Sequence, residues 1–82
     1  MIQPMRKMKV NQKGKIVSIK ARGELARRIR DMGVIPGAVF SVVGRAPLQD
    51  PVAVRLNGFT ITLRNSEADH IICETDGGAA NA

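Results

Sequence analysis

The sequence contains no tryptophan and no tyrosine, and its 2% aromatic content is Phe40 and Phe59 alone. The core must therefore be aliphatic, built from Val, Ile, Leu and Met. The aromatic side chains that usually accompany RNA-binding sheets are missing as well. A single cysteine, Cys73, excludes an internal disulfide and fits a reducing compartment. A single histidine, His70, excludes a His-based triad or a multi-histidine metal site within one chain. No stretch approaches the roughly 20 apolar residues of a membrane span. At the N-terminus, Arg6, Lys7 and Lys9 interrupt any apolar run of the kind a signal peptide needs. The P-loop, the dinucleotide-binding glycine pattern and the nucleophile elbow are absent too. These absences point away from an enzyme, and no cofactor or metal ligand set is expected.

What is present is charge, unevenly placed. Residues 1–30 hold ten Lys/Arg against Glu24 alone, while residues 31–82 hold three Arg against six acids, within a net charge of +6. Such asymmetry fits an anionic partner for the first third of the chain (nucleic acid, an acidic protein surface or a membrane face) or a solvated basic segment that aids solubility. With 82 residues there is one domain, which buries only roughly 60–65% of its unfolded surface.

The strongest local signal is Pro51 to Leu63. Asn57-Gly58 supplies the two positive-φ positions of a type I′ turn, and a two-residue loop then sets the register. Leu56 faces Phe59, Val54 faces Ile61 and Val52 faces Leu63 on one side of the ribbon, with Ala53, Arg55, Thr60 and Thr62 on the other. An isolated hairpin is marginal in water, so further strands must cover the apolar side.

Around that hairpin the chain reads as follows. Residues 1–13 form an irregular basic lead-in, from which Met8 or Val10 reaches the core. A strand opens at Gly14 and runs to Lys20, with Val17 and Ile19 inward and Ile16 outward. Glu24 to Met32 is a helix whose apolar stripe is Leu25, Ala26, Ile29 and Met32, with Gly23 as N-cap and Gly33 as its left-handed terminator. Glu24–Arg28 and Arg27–Asp31 have i,i+4 spacing. Pro36-Gly37 makes a turn, Ala38 to Gly44 a second strand, and Ala46 to Pro51 a loop that two prolines keep out of the sheet. Ser66 and Asp69 have capping-box spacing for one helical turn, and His70 to Glu74 is a fifth strand. His70 and Cys73, three apart on a strand, would point to opposite faces. Residues 76–82 are expected to be a disordered tail. The expected fold is mostly β: a small five-stranded SH3-like barrel over residues 14–75, with a helix between strands 1 and 2 and a helical turn before strand 5.

Two exposed features are candidates for a contact surface. Arg27 and Arg30 offer fixed positive charge on the outer helix face, or simply a solvated face. Leu48 stands on a loop stiffened by Pro47 and Pro51, as a contact or folded back on the barrel.

Three stretches resemble the FeoA domain. Arg27-Arg28-Ile29-Arg30-Asp31-Met32-Gly33-Val34-Ile35-Pro36-Gly37 is similar to its helix and Gly-x-x-Pro-Gly turn. Arg45-Ala46-Pro47-Leu48-Gln49-Asp50-Pro51-Val52 is similar to its Ala-Pro-Leu-x-Asp-Pro loop. Leu63-Arg64-Asn65-Ser66-Glu67-Ala68 is similar to its Leu-Arg-x-x-Glu-Ala turn. The resembling segment runs from Glu24 to Ile72, about 60% of the chain. The resemblance implies an SH3-like barrel and a non-enzymatic cytoplasmic accessory protein of bacterial ferrous-iron uptake. Its implied partner is a FeoB-type membrane transporter with a cytoplasmic GTP-binding domain, which would recruit it to the inner face of the membrane. The candidate contact residues of this chain for such a partner are Arg27, Arg30, Leu48, Asp50 and Arg64. The alternatives are a nucleic-acid-binding SH3-like module, or a stand-alone relative of the C-terminal domain of metal-dependent repressors. No helix-turn-helix region precedes the domain here, which favours the accessory protein. The chain departs from the family pattern in its more basic lead-in and in Gln49, which stands where glycine is common.

Overall fold

The computed structural model describes residues 1–75; the tail expected at 76–82 lies outside the described residues. The elements are β1 (Ile2–Pro4), a single 3-10 turn (Met5–Lys7), β2 (Lys13–Ile19), α1 (Gly23–Asp31), β3 (Val39–Arg45), β4 (Val52–Leu56), β5 (Phe59–Leu63), α2 (Asn65–Ala68) and β6 (Ile71–Thr75). The six strands form one antiparallel sheet in the order β1-β6-β2-β3-β4-β5. The fold is thus the expected mostly-β, SH3-like architecture, with six strands rather than five and with β1 and β5 left as unjoined edges.

The β4–β5 hairpin keeps the expected register pair for pair. Asn57 and Gly58 both take positive φ, at 53° and 83°, as the tight turn demands. Val52, Val54, Leu56 and Leu63 are buried. Phe59 departs from the expectation and is 71% exposed. It sits at the hairpin tip on an edge strand, whereas Leu56 opposite it is covered from β3, where Phe40 is its cross-strand partner.

The lead-in is where the sequence reading needs most correction. Residues 1–13 are not irregular throughout, because β1 pairs with β6 through Ile2↔Glu74, Gln3↔Cys73 and Pro4↔Ile72. Met5 and Met8 are fully buried in the core beyond it, while Val10 stays exposed. In β2 the inward residue is Ile16 at 1% exposure, and Val17 faces out. A bulge between Ile16 and Ser18 resets the alternation, so Ile19 still reaches the core. An imperfect period in the sequence was therefore a real irregularity in the strand.

Helix α1 buries Ile29 completely and packs Leu25 and Met32 against the core, the stripe its spacing predicted. Its N-cap is Arg22, not Gly23, and no side chain caps it. The C-terminus closes as a Schellman motif. Gly33, at φ 93°, donates its N–H to the Arg30 carbonyl at 2.9 Å, and Val34 donates to Ile29 at 3.4 Å. Val34 and Ile29 are both fully buried, which supplies the apolar contact that accompanies this motif. Neither i,i+4 ion pair forms: Glu24 pairs instead with Arg27 at 3.5 Å, and Arg28 turns away to α2.

Candidate partner-binding surface

Helix α2 is a single turn, and its end groups organise the surface around it. The reciprocal cap uses Arg64 and Glu67 rather than Ser66 and Asp69. The Arg64 N–H donates to Glu67 Oε1 at 2.9 Å, and the Glu67 N–H donates to the Arg64 carbonyl at 2.9 Å. The other carboxylate oxygen of Glu67 accepts from the Arg28 guanidinium, so one buried glutamate ties α1 to α2. Burial pushes the Glu67 carboxyl up, but the Arg64 N–H, the Arg28 hydrogen bond and the two guanidinium charges together outweigh it. The net result lies below the ordinary 4.5.

The loop between β3 and β4 is braced in the same manner. Within it, Gln49 N–H donates to the Ala46 carbonyl at 2.7 Å and Ala46 N–H donates to the Pro51 carbonyl at 3.1 Å. The Asp50-Pro51 peptide is cis. Gln49 holds φ at 68°, the left-handed conformation that glycine adopts without steric cost. From outside, Asn65 donates its side-chain amide to the Gln49 carbonyl at 3.0 Å and its backbone N–H to Asp50 Oδ1 at 2.9 Å. Arg45 completes the frame. Its guanidinium donates to the Gln49 carbonyl (2.9 Å), Asn65 Oδ1 (3.2 Å), and the Arg6 and Met8 carbonyls (2.6 and 2.9 Å). Loop, α2 and N-terminal segment are thereby locked together, and Leu48 projects from the locked loop at 88% exposure.

The five residues singled out in the sequence fall into distinct places. Leu48 is the exposed tip. Asp50 is turned to the Asn65 N–H and helps hold that tip. Arg64 lines a groove of about 390 Å³ with Arg28, Met32, Pro51, Thr62 and Glu67, between α1 and the base of the loop. Arg27 lies on the exposed helix face beside Arg28, in a second hollow bordered by Glu24, Leu25 and Asp31. Arg28 lines both hollows, so Arg27 and Arg64 belong to one continuous surface. Arg30 is exposed on α1 but borders neither hollow. Sequence reasoning missed Arg45, Asn65 and Glu67 as the residues that build this surface. Glu67 was visible as the acid of the Leu-Arg-x-x-Glu-Ala stretch, whereas nothing local to Arg45 signalled four acceptors scattered over the chain.

The remaining reactive groups are occupied or buried. His70 lies in the turn before β6 rather than on the strand, and its Nδ1–H donates to the Ser66 carbonyl at 2.8 Å. Cys73 shares the inward face with Ile71, as expected, and burial pushes its thiol up to about 12. Among the described residues, no three His, Cys, Asp or Glu side chains gather as a metal-ligand cluster.

The model of the FeoA domain family matches residues 3–75. The chain belongs to the FeoA family. A relative from Porphyromonas gingivalis, the Fe(2+) transport protein A/Fe(2+) transporter FeoB fusion protein, is 39% identical over 59 residues, which is 72% of this chain. The chain spans only 7% of that fusion protein's length. The FeoA-like protein of Clostridium acetobutylicum superposes with a TM-score of 0.85 at 33% identity, over 92% of this chain and 87% of that one. The zinc complex of Stenotrophomonas maltophilia FeoA, described as a prokaryotic SH3 domain protein, superposes with a TM-score of 0.76 at 22% identity. It covers 88% of this chain and 89% of that one, and at that identity it speaks for the fold alone. FeoA membership links the chain to ferrous-iron transport, and the three motifs quoted above are what carried that link in the sequence. Among the described residues, no helix is long and apolar enough to cross a membrane.

Proposed function

We propose that this protein is a non-enzymatic, cytoplasmic accessory protein of ferrous-iron uptake that binds a FeoB-type transporter through its GTP-binding cytoplasmic domain and regulates it. The observation that carries this reading is the fusion relative, in which a segment like this chain and a FeoB transporter share one polypeptide. Fusion of two proteins favours an association between their separate counterparts, because a tether raises the effective concentration of partners that already meet. The proposed contact has Leu48 as apolar anchor, held by Asp50, with Arg27, Arg30 and Arg64 as the charged rim; the exposure of Leu48 and the hollows that Arg28 shares with Arg27 and Arg64 support it, while Arg30 enters only by its exposure on α1. A rigid loop loses little freedom on docking, so most of the contact energy survives as affinity. The transporter then recruits the protein to the inner face of the membrane.

The test is retention of the protein on the immobilised cytoplasmic domain of the transporter, with and without a guanine nucleotide, together with the rate of GTP hydrolysis. Specific retention and an altered hydrolysis rate are expected. No retention in either nucleotide state overturns the reading.

A further inference from the structure

Of the two open edges of the sheet, β1 is blunted and β5 is not. β1 has three residues and ends in Pro4, which has no N–H to offer. β5 is Phe-Thr-Ile-Thr-Leu, five residues without proline, glycine or charge and rich in β-branched side chains. Its register fixes which backbone groups are spare. In a hairpin closed by a two-residue turn, the pair flanking the turn exchanges both ladder hydrogen bonds, and so does every second pair after it. That assigns the backbone groups of Phe59, Ile61 and Leu63 to β4 and turns the N–H and C=O of Thr60 and Thr62 to the open side. Among the described residues, no backbone group from elsewhere in the fold bonds to those four. Positive charge flanks this edge. Arg55 lies opposite Thr60 and reaches across β5, its guanidinium coming within 3.5 Å of Thr60 Oγ1. Arg64 follows the strand in extended conformation, two places after Thr62, and with Thr62 and Arg28 it lines the groove of about 390 Å³ described above. Neither Arg55 nor Arg64 joins an ion pair among the described residues, and Glu67, the one carboxylate lining the groove, is held by Arg28. On the other side of β5, Phe59 is exposed and Ile61 half-buried.

We propose that β5 takes up an acidic, extended peptide as a further antiparallel strand, with its carboxylates beside Arg55 and Arg64 and its apolar side chains beside Phe59 and Ile61. A polypeptide backbone repeats donors and acceptors at the spacing that Thr60 and Thr62 present, which neither a lipid headgroup nor a nucleic acid does. Residues directly opposite each other in antiparallel strands share a face. Acids opposite Thr60 and Thr62 therefore meet the arginines, and the residues between them meet the apolar side. The same charge disfavours a second copy of this chain, since symmetric pairing through Ile61 would set the Arg55 of one copy near the Arg64 of the other. The edge meets the proposed transporter contact at Arg64, and synthetic peptides test it without the transporter, so either reading can fail while the other stands.

The probe is a fluorescent peptide, Glu-Val-Glu-Val-Glu with blocked termini, titrated with the full chain over a range of salt and read by anisotropy. Binding is expected and should weaken as salt rises, and the counterpart Lys-Val-Lys-Val-Lys should not bind. In the antiparallel register the glutamates pair with Thr60 and Thr62, so their N–H groups face β5 and those of the valines face away. N-methylation of the glutamates should therefore lower the affinity about tenfold or more, whereas N-methylation of the valines should retain it. This comparison needs the parent protein alone. Arg55→Gln with Arg64→Gln should weaken binding and flatten its salt dependence. Thr62→Pro, which removes a donor from the open edge and none from the ladder, should also weaken binding; circular dichroism confirms that each variant is folded. The proposal is overturned if the parent ignores the acidic peptide, if the lysine peptide binds as well, or if N-methylation of the glutamates leaves the affinity intact. It is equally overturned if the parent ignores the peptide, sediments as a dimer and becomes a monomer on Thr62→Pro, which would assign the edge to a second copy.

Discussion

Ile29 is the side chain by which α1 rests on the sheet, fully buried and adjoined in the helix terminus by the equally buried Val34. A nine-residue helix does not persist alone, so its docking depends on such contacts. Ile29→Ala is expected to cost about 2–5 kcal/mol in denaturant melts, from lost transfer energy and the cavity left behind. Glu67 makes a different kind of link, an ionised carboxylate shared between the Arg64 N–H and the Arg28 guanidinium. Its folded-state pKa is lowered, so it stabilises the fold above the ordinary value of 4.5. That contribution fades as pH falls through the lowered folded value. Acid titration of stability should therefore show a loss below about pH 4.5 that is smaller in Glu67→Gln. An unchanged acid profile in that variant would mean that the carboxylate is not the link between the helices.

The loop and helix that make up the candidate contact differ in what they contribute to binding. The Ala46–Pro51 loop presents one apolar side chain on a backbone fixed by Arg45 and Asn65, which favours slow dissociation once seated. Helix α1 presents arginines at its exposed face, which favour encounter. Leu48→Ala should accordingly raise the off-rate from the transporter's cytoplasmic domain, and Arg27→Ala should lower the on-rate and flatten its salt dependence. Surface-plasmon traces of the folded variants separate the two effects, and parent-like traces from both would move the contact elsewhere. Elements of this kind were readable to different degrees. The hairpin and α1 were legible because turn chemistry, period and terminator agreed over several residues. β1 was not, since three residues ending in Pro4 and followed by charges carry no period, and only their pairing with β6, some seventy positions away, makes them a strand. The Val17 bulge showed as broken alternation but could not be located. The contact surface was legible in its exposed members and not in its supports, because Arg45 binds groups whose proximity only the fold creates.

At the scale of the whole molecule, the sheet spans both ends of the described chain, with Ile2 beside Glu74 and Met1 hydrogen-bonded to Thr75. The ladder that joins them has the largest sequence separation in the fold, and the chain entropy of closing so long a loop must be met before that ladder forms. Topologically the molecule is close to a ring whose cut falls at an arbitrary point on its circumference. A circular permutant that joins these ends by a short glycine-serine linker and opens at the exposed Asn57-Gly58 turn tests this view. It should fold to the same sheet, with β1–β6 pairing turned from the most distant contact into a local one, and its refolding rate should rise if that closure limits folding. Loss of the native circular-dichroism spectrum would show that the hairpin turn, rather than the closure of the ends, holds the ring. In such a ring a partner joined after β6 departs from beside Met1, so the point of covalent attachment and the open β1 edge of the sheet are neighbours.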